Sequence, residues 1–269
     1  MKRTLKEGEH PPMLRVLALL FEQKVVSVAQ VYHGCFGEFS KWYVYKVLER
    51  AEKDGLIESR NLMRFGQQPI RVYSLSKSGF SELKAMTGLE LERAQLLSPT
   101  PPHDLGVTEL RLTFSRIREC KNIISENLLR TKLLEESFSD LVFLRASNVD
   151  MAVELEINQK TIWMGVEFEQ SGKSDVRYEK KLKHWYQSEG LKGILLIVDG
   201  ELLLNRLKRL DAKTYPNLPR KVLFARFEEV ISATEKVRFE TALGESLILS
   251  MGKSVNMKYP ILDQSLAIY

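Results

Sequence analysis

The chain has 269 residues, 44% hydrophobic and 28% charged, which is enough apolar material for a sizeable core and enough length for two domains. Its net charge of +5 suits an acidic polymer as partner, and the excess is uneven: residues 1–98 hold 15 Lys and Arg against 11 Asp and Glu, the remainder 25 against 24. Two distant cysteines (Cys35, Cys120) and four histidines (His10, His33, His103, His184) argue against a disulfide framework or a zinc site, and with no apolar run near the ~18 residues of a membrane span and no signal-peptide core, a cytoplasmic protein is expected.

In chain order, Pro11 to Phe21 carries apolar residues at helical spacing, and Ser27 reads as the N-cap of a short helix over Val28 to Tyr32. A third helix is expected from about Ser40 to Lys53, with Val44, Val47, Leu48 and Ala51 inward and Gly55 as its stop. Two short strands follow, Leu56 to Arg60 and Arg71 to Leu75, joined by a loop holding Arg64, and Ser76 caps a further helix with Gly79 near its start. Three helices and a hairpin make the winged form of helix-turn-helix. The junction Ala51 to Ile57, then Val72 to Gly79, resembles many bacterial winged helices. That resemblance implies the third helix in the major groove and the hairpin along the backbone of double-stranded DNA. Lys41, Trp42, Tyr45, Lys46 and Arg50 on the helix, with Arg60, Arg64 and Arg71 on the hairpin, are the candidate DNA-binding residues. The bland alternative is that Trp42 and Tyr45 are core aromatics and the cations a solvated surface.

The run Ser98-Pro99-Thr100-Pro101-Pro102 reads as a stiff linker dividing domains 1–98 and 99–269. Beyond it come a helix over Asp104 to Cys120 and a short strand at Ile123 to Ser125 ending in Glu126. A hairpin of Met151 to Ile157 and Thr161 to Glu169 follows, then a helix beginning at Ser171 or Gly172. A buried strand at Gly193 to Asp199, a helix over Leu202 to Leu210 and a strand at Lys221 to Ala225 complete a mixed α/β sandwich.

Strand alternation places Glu167 and Glu169 on one face, opposite Val166 and Phe168. Two acids on an apolar strand are costly to bury unless a cation compensates them. Asp150 lies one hairpin upstream and Lys173 follows one turn on, so three carboxylates and an ammonium are expected to converge as a magnesium (or manganese) phosphodiester-cutting site requires. A solvated strand face is the plain alternative.

Val149-Asp150, Glu167-Phe168-Glu169 and Lys173 resemble the PD-(D/E)xK nuclease superfamily, with a restriction-endonuclease-like fold. A winged helix before such a core resembles the replication-relaxation group of plasmid proteins, including MobC-type mobilisation relaxases. His103-Asp104-Leu105, Ser125-Glu126 and Val166 to Ser174 with Tyr178 add to the match. The resemblance implies that Asp150 and Glu167 bind the metal, that Glu126 is an added acid, and that Lys173 supplies the ammonium, since Glu169 stands where the superfamily has lysine. It further implies a DNA-nicking endonuclease acting at an origin of transfer, with other mobilisation proteins as partners. A non-catalytic DNA-binding regulator and a repair or defence nuclease are the alternatives. Tyr178 and Tyr186 are the nearest tyrosines for a covalent DNA link, although packing explains tyrosines better. Gly172-Lys173-Ser174 is only a weak echo of a phosphate loop. Lys180, Lys181 and Lys183 read as phosphate-tracking cations or a solvated helix face.

Overall fold

The computed structural model describes residues 11–36, 39–63, 68–91, 96–131, 139–252 and 262. They form two compact units, one built mainly on residues up to Thr108 and the other on Glu109–Arg130 and residues 139–252. No described helix is long and apolar enough to cross a membrane.

The first unit opens with α1 (Pro12–Gln23), a two-residue strand β1 (Val26–Ser27) and α2 (Val28–Cys35). Ser27 and Gln30 cap α2 reciprocally, the serine hydroxyl accepting from Gln30 N–H and the Gln30 side chain from Ser27 N–H. Next is α3 (Lys41–Lys53), capped by Ser40; Val44, Leu48 and Ala51 are buried as expected, while Val47 is only half-buried. Gly55 takes a positive φ of 70° just past its end, a conformation glycine adopts without strain. Strands β2 (Ile57–Leu62) and β3 (Ile70–Leu75) pair antiparallel, and β1 adds to the outer edge of β3, an edge the alternation pattern could not reveal in two residues.

Ser76 then caps α4 (Lys77–Thr87), accepting from Gly79 N–H at 2.9 Å. This helix starts so close to the chain entering β2 that a Cβ on Gly79 would lie 1.9 Å from the Leu56 carbonyl oxygen. Backbone cannot yield as a flexible side chain does, so Gly79→Ala is expected to destabilise the unit by about 1–3 kcal/mol. Thermal unfolding of the variant checks this, and an unchanged midpoint would refute the close approach.

The expected linker is partly helix. Pro101 and Pro102 begin α5 (Pro101–Phe114), because proline lacks only an N–H that the first helical turn leaves unpaired anyway. The division between the units falls within α5, after Thr108.

In the second unit, β4 (Cys120–Ser125), the short helices α6 (Glu126–Leu129) and α7 (Ser139–Ala146), β5 (Met151–Ile157) and β6 (Lys160–Glu169) lead to α8 (Asp175–Gln187). Then come β7 (Ile194–Val198), α9 (Glu201–Thr214), β8 (Val222–Arg226), α10 (Phe227–Ile231), β9 (Lys236–Glu240) and β10 (Ser246–Ser250). One seven-stranded mixed sheet results, in the order β10-β9-β8-β7-β6-β5-β4. β4, β5 and β6 form an antiparallel meander; β6, β7 and β8 run parallel through the crossovers α8 and α9; β9 and β10 return antiparallel. All of β7 is buried, as its continuous apolar run requires. The overall class is therefore α+β with a mixed sheet.

Candidate functional site

Strand register gathers the predicted acids at one end of the sheet. Ser125 faces Met151 across β4 and β5, and Glu126 N–H donates to Asp150 O at 3.0 Å. Met151 faces Val166 across β5 and β6, so Asp150 and Glu167 are the next residues outward on adjacent strands. Asp150 Oδ2 accepts Phe168 N–H at 2.7 Å, which fixes that carboxylate on the β6 backbone. Glu167 and Glu169 also lie beside Leu196 and Val198 of parallel β7, at the carboxyl end where α/β sheets commonly bind ligands.

Alternation holds at this end. Phe168 packs on Phe227, with ring centroids 4.7 Å apart, while Glu167 and Glu169 point to the face covered by α8. Both glutamates are buried, at 6% and 3% exposure, so the solvated-face alternative fails. Each has its own ammonium: Lys173 Nζ bonds Glu169 Oε2 at 2.6 Å, and Lys181 Nζ bonds Glu167 Oε1. Glu167 Oε2 is buried with no hydrogen-bond partner among the described residues. Burial first, and the nearby Asp150 charge second, push the Glu167 carboxyl up to about 8 against the pull of Lys181 and Lys173.

A carboxyl whose proton affinity rises on folding stabilises the fold at pH below its ordinary value of 4.5, and that contribution is lost as pH climbs through about 8. Glu167→Gln is therefore expected to flatten the fall in melting temperature over this range. A wild-type profile with the same slope as the variant would show that Glu167 carries no such burden.

Several expectations need correction. Lys173 is not one turn into a helix: α8 starts at Asp175, and Lys173 sits in the preceding loop. The loop is tied down because Lys173 N–H donates to Tyr178 Oη at 3.0 Å, Tyr178 O–H donates to Ser171 O at 3.2 Å, and Arg206 donates to Lys173 O at 2.9 Å. Glu126 reaches this end of the sheet through its backbone, but its carboxylate bonds Arg130 one turn along. Among the described residues, no three His, Cys, Asp or Glu side chains cluster as a ready-made metal cage. Asp150 and Glu167 hold adjacent register positions, while Glu169 lies two residues further along β6 and is engaged by Lys173.

That pair suits magnesium or manganese. Such ions take hard oxygens, keep several waters, and need only one or two carboxylates. A buried carboxylate oxygen without a partner is the kind of donor they satisfy. The tyrosines suit a nucleophilic role poorly. Tyr178 O–H pins the loop, and Tyr186 O–H is buried against Asp211 Oδ1 at 2.9 Å, its acidity pushed to about 12 by burial and the neighbouring carboxylate.

Lys181 does not belong with Lys180 and Lys183 on a solvated or phosphate-tracking face: its ammonium is turned inward to Glu167. Its signal was present: Tyr178, Lys181, Leu182 and Trp185 recur at helical spacing on the inward face of α8. With Glu169, Tyr178 and Trp185 it lines a small cavity floored by Leu196 and Phe224. Trp185 Nε1 is buried without a hydrogen-bond partner, and the Lys181 ammonium lies 5.2 Å from that indole ring.

In the first unit, Trp42 and Tyr45 are 67% and 55% exposed, so they are not core aromatics. Lys41, Lys46, Arg50, Arg60 and Arg71 are exposed as well. Most of these cations are already engaged: Lys46 with Glu49 at 2.7 Å, Arg50 with Asp54 at 3.5 Å, Arg71 with Glu52 at 2.7 Å, and Arg60 with Ser98 O at 3.3 Å. Exposed ion pairs of this kind contribute little and can be given up to a phosphate. Arg64 lies outside the described residues.

No family model matches this chain, and a search of curated proteins finds no match to it.

Proposed function

We propose that the chain is a divalent-metal-dependent DNA-nicking endonuclease, with a winged-helix first unit that binds double-stranded DNA and a PD-(D/E)xK-like second unit that cuts one strand. The observation that carries this reading is the half-buried Asp150 beside the buried Glu167, one of whose oxygens has no hydrogen-bond partner among the described residues, at the carboxyl end of β6. The order α5, three-stranded meander, α8, parallel β7 supports a nuclease-like core, and three helices with an antiparallel hairpin support the winged helix. Action at an origin of transfer, with mobilisation proteins as partners, is the narrower form of the proposal and rests on the motif resemblance.

In this mechanism Asp150 and Glu167 would hold the ion, Asp150 oriented by Phe168 N–H. A bound divalent ion lowers the pKa of an attached water and offsets charge on the scissile phosphate. Lys173, bonded to Glu169 from the β6–α8 loop, would offset negative charge on the substrate. Supercoiled plasmid carrying the candidate origin, incubated with magnesium or with EDTA, tests the reading: relaxed circles are expected only with the metal. For the first unit, DNA affinity is expected to fall steeply with salt, as counterion release dictates. A flat salt response in a filter-binding or fluorescence titration would remove the phosphate-binding role.

A second reading is a non-catalytic DNA-binding regulator with a degenerate nuclease fold. It is favoured by the two lysines that already neutralise Glu167 and Glu169. In that case Asp150→Ala leaves function intact.

A further inference from the structure

Asp150 and Glu167 place two carboxylates at one end of the sheet, and an ammonium bonded to Glu167 comes from Lys181 on the covering helix. That ammonium reaches only Oε1, and the buried Oε2 has no hydrogen-bond partner among the described residues. A monovalent cation therefore half-fills a position with the charge and donors for a divalent one. The Lys181 side chain is 27% exposed, so solvent is open to its ammonium, which already lies over the Trp185 ring at 5.2 Å while bonded to Glu167. Lys173 differs, being bonded to Glu169 from a loop held at several points.

We infer that Lys181 is a tethered competitor for the divalent cation, occupying Glu167 when no ion is bound and yielding the carboxylate when one is. This rests on the metal-site reading above. The lysine keeps a buried carboxylate neutralised in the empty protein, where an unpaired charge would be costly. It also raises the ion concentration needed to load the site, because each binding event must displace the ammonium. Once displaced, the ammonium is free to meet an incoming phosphate, so loading and substrate binding become linked through one side chain.

The test is calorimetric titration of Mg²⁺ into wild-type protein and Lys181→Met in the same buffer. K181M is expected to bind about tenfold more tightly. In wild type, acylation of Lys181, read by mass spectrometry against Lys160, is expected to rise several-fold when Mg²⁺ is added. This second measurement carries the decision if K181M does not fold. Equal affinities with unchanged acylation would overturn the lysine's role while leaving the metal site standing. No Mg²⁺ binding by either protein would overturn both.

Discussion

Asp150→Ala and Glu167→Gln are each expected to lower magnesium-dependent nicking by about a thousandfold or more, equivalent to roughly 4 kcal/mol of barrier, while DNA affinity stays near wild type. The two halves of the result have separate causes. Asp150 is held by Phe168 N–H and Glu167 carries the unpartnered buried oxygen, so removing either carboxylate removes half the donor set. The candidate DNA contacts lie on α3 and the hairpin of the other unit and should not be disturbed. Agarose gels of supercoiled plasmid, paired with a binding titration of the same preparations, read both quantities. Full nicking by Asp150→Ala would leave the second unit a docking or regulatory module.

Arg220→Met is expected to cost about 3–5 kcal/mol of stability, and the double variant Arg220→Met/Asp211→Leu to recover most of it. Arg220 and Asp211 are both buried, at 2% and 0% side-chain exposure, and meet through one guanidinium nitrogen at 3.3 Å. Tyr186 O–H donates to the other Asp211 oxygen, while Arg220 Nε and Nη2 have no hydrogen-bond partner among the described residues. Burial raises the Asp211 carboxyl above its usual range even with Tyr186 and Arg220 drawing it down. Removing the arginine strands a carboxylate between α8 and α9, whereas removing both charges lets apolar groups fill the space. For a protein of this size, melting temperature moves ~2–4 °C per kcal/mol, so the single variant should lose roughly 10 °C. If the double variant is as unstable as the single, packing rather than the stranded charge is the cause.

Much of the fold could be read from local signals. Ser27 and Ser76 each cap the helix expected of them, and Gly55 closes α3, because capping depends on atoms within a few residues. The alternation of β5 and β6 placed Glu167 and Glu169 on a common face correctly. Elements outside that reading are short: β1 has two residues, and β9 and β10 have five each and pair with one another. Pro101 and Pro102 misled because proline breaks a helix interior yet suits a helix start.

By itself the sequence determined which strands carry acids, that α1 to α4, α8 and α9 form, and that Glu167 and Glu169 share a face, since all of this follows from periodicity and short-range hydrogen bonding. Only the tertiary structure decided which cation meets which carboxylate. Lys181 reaches Glu167 across 14 residues because α8 crosses the sheet and buries that face of the helix, while Lys173, nearer in sequence, is turned to Glu169 by its loop. Burial, too, is a property of the assembled layers: the same Glu167 on an uncovered strand would be an ordinary solvated acid, and under α8 it becomes a charge in need of a partner.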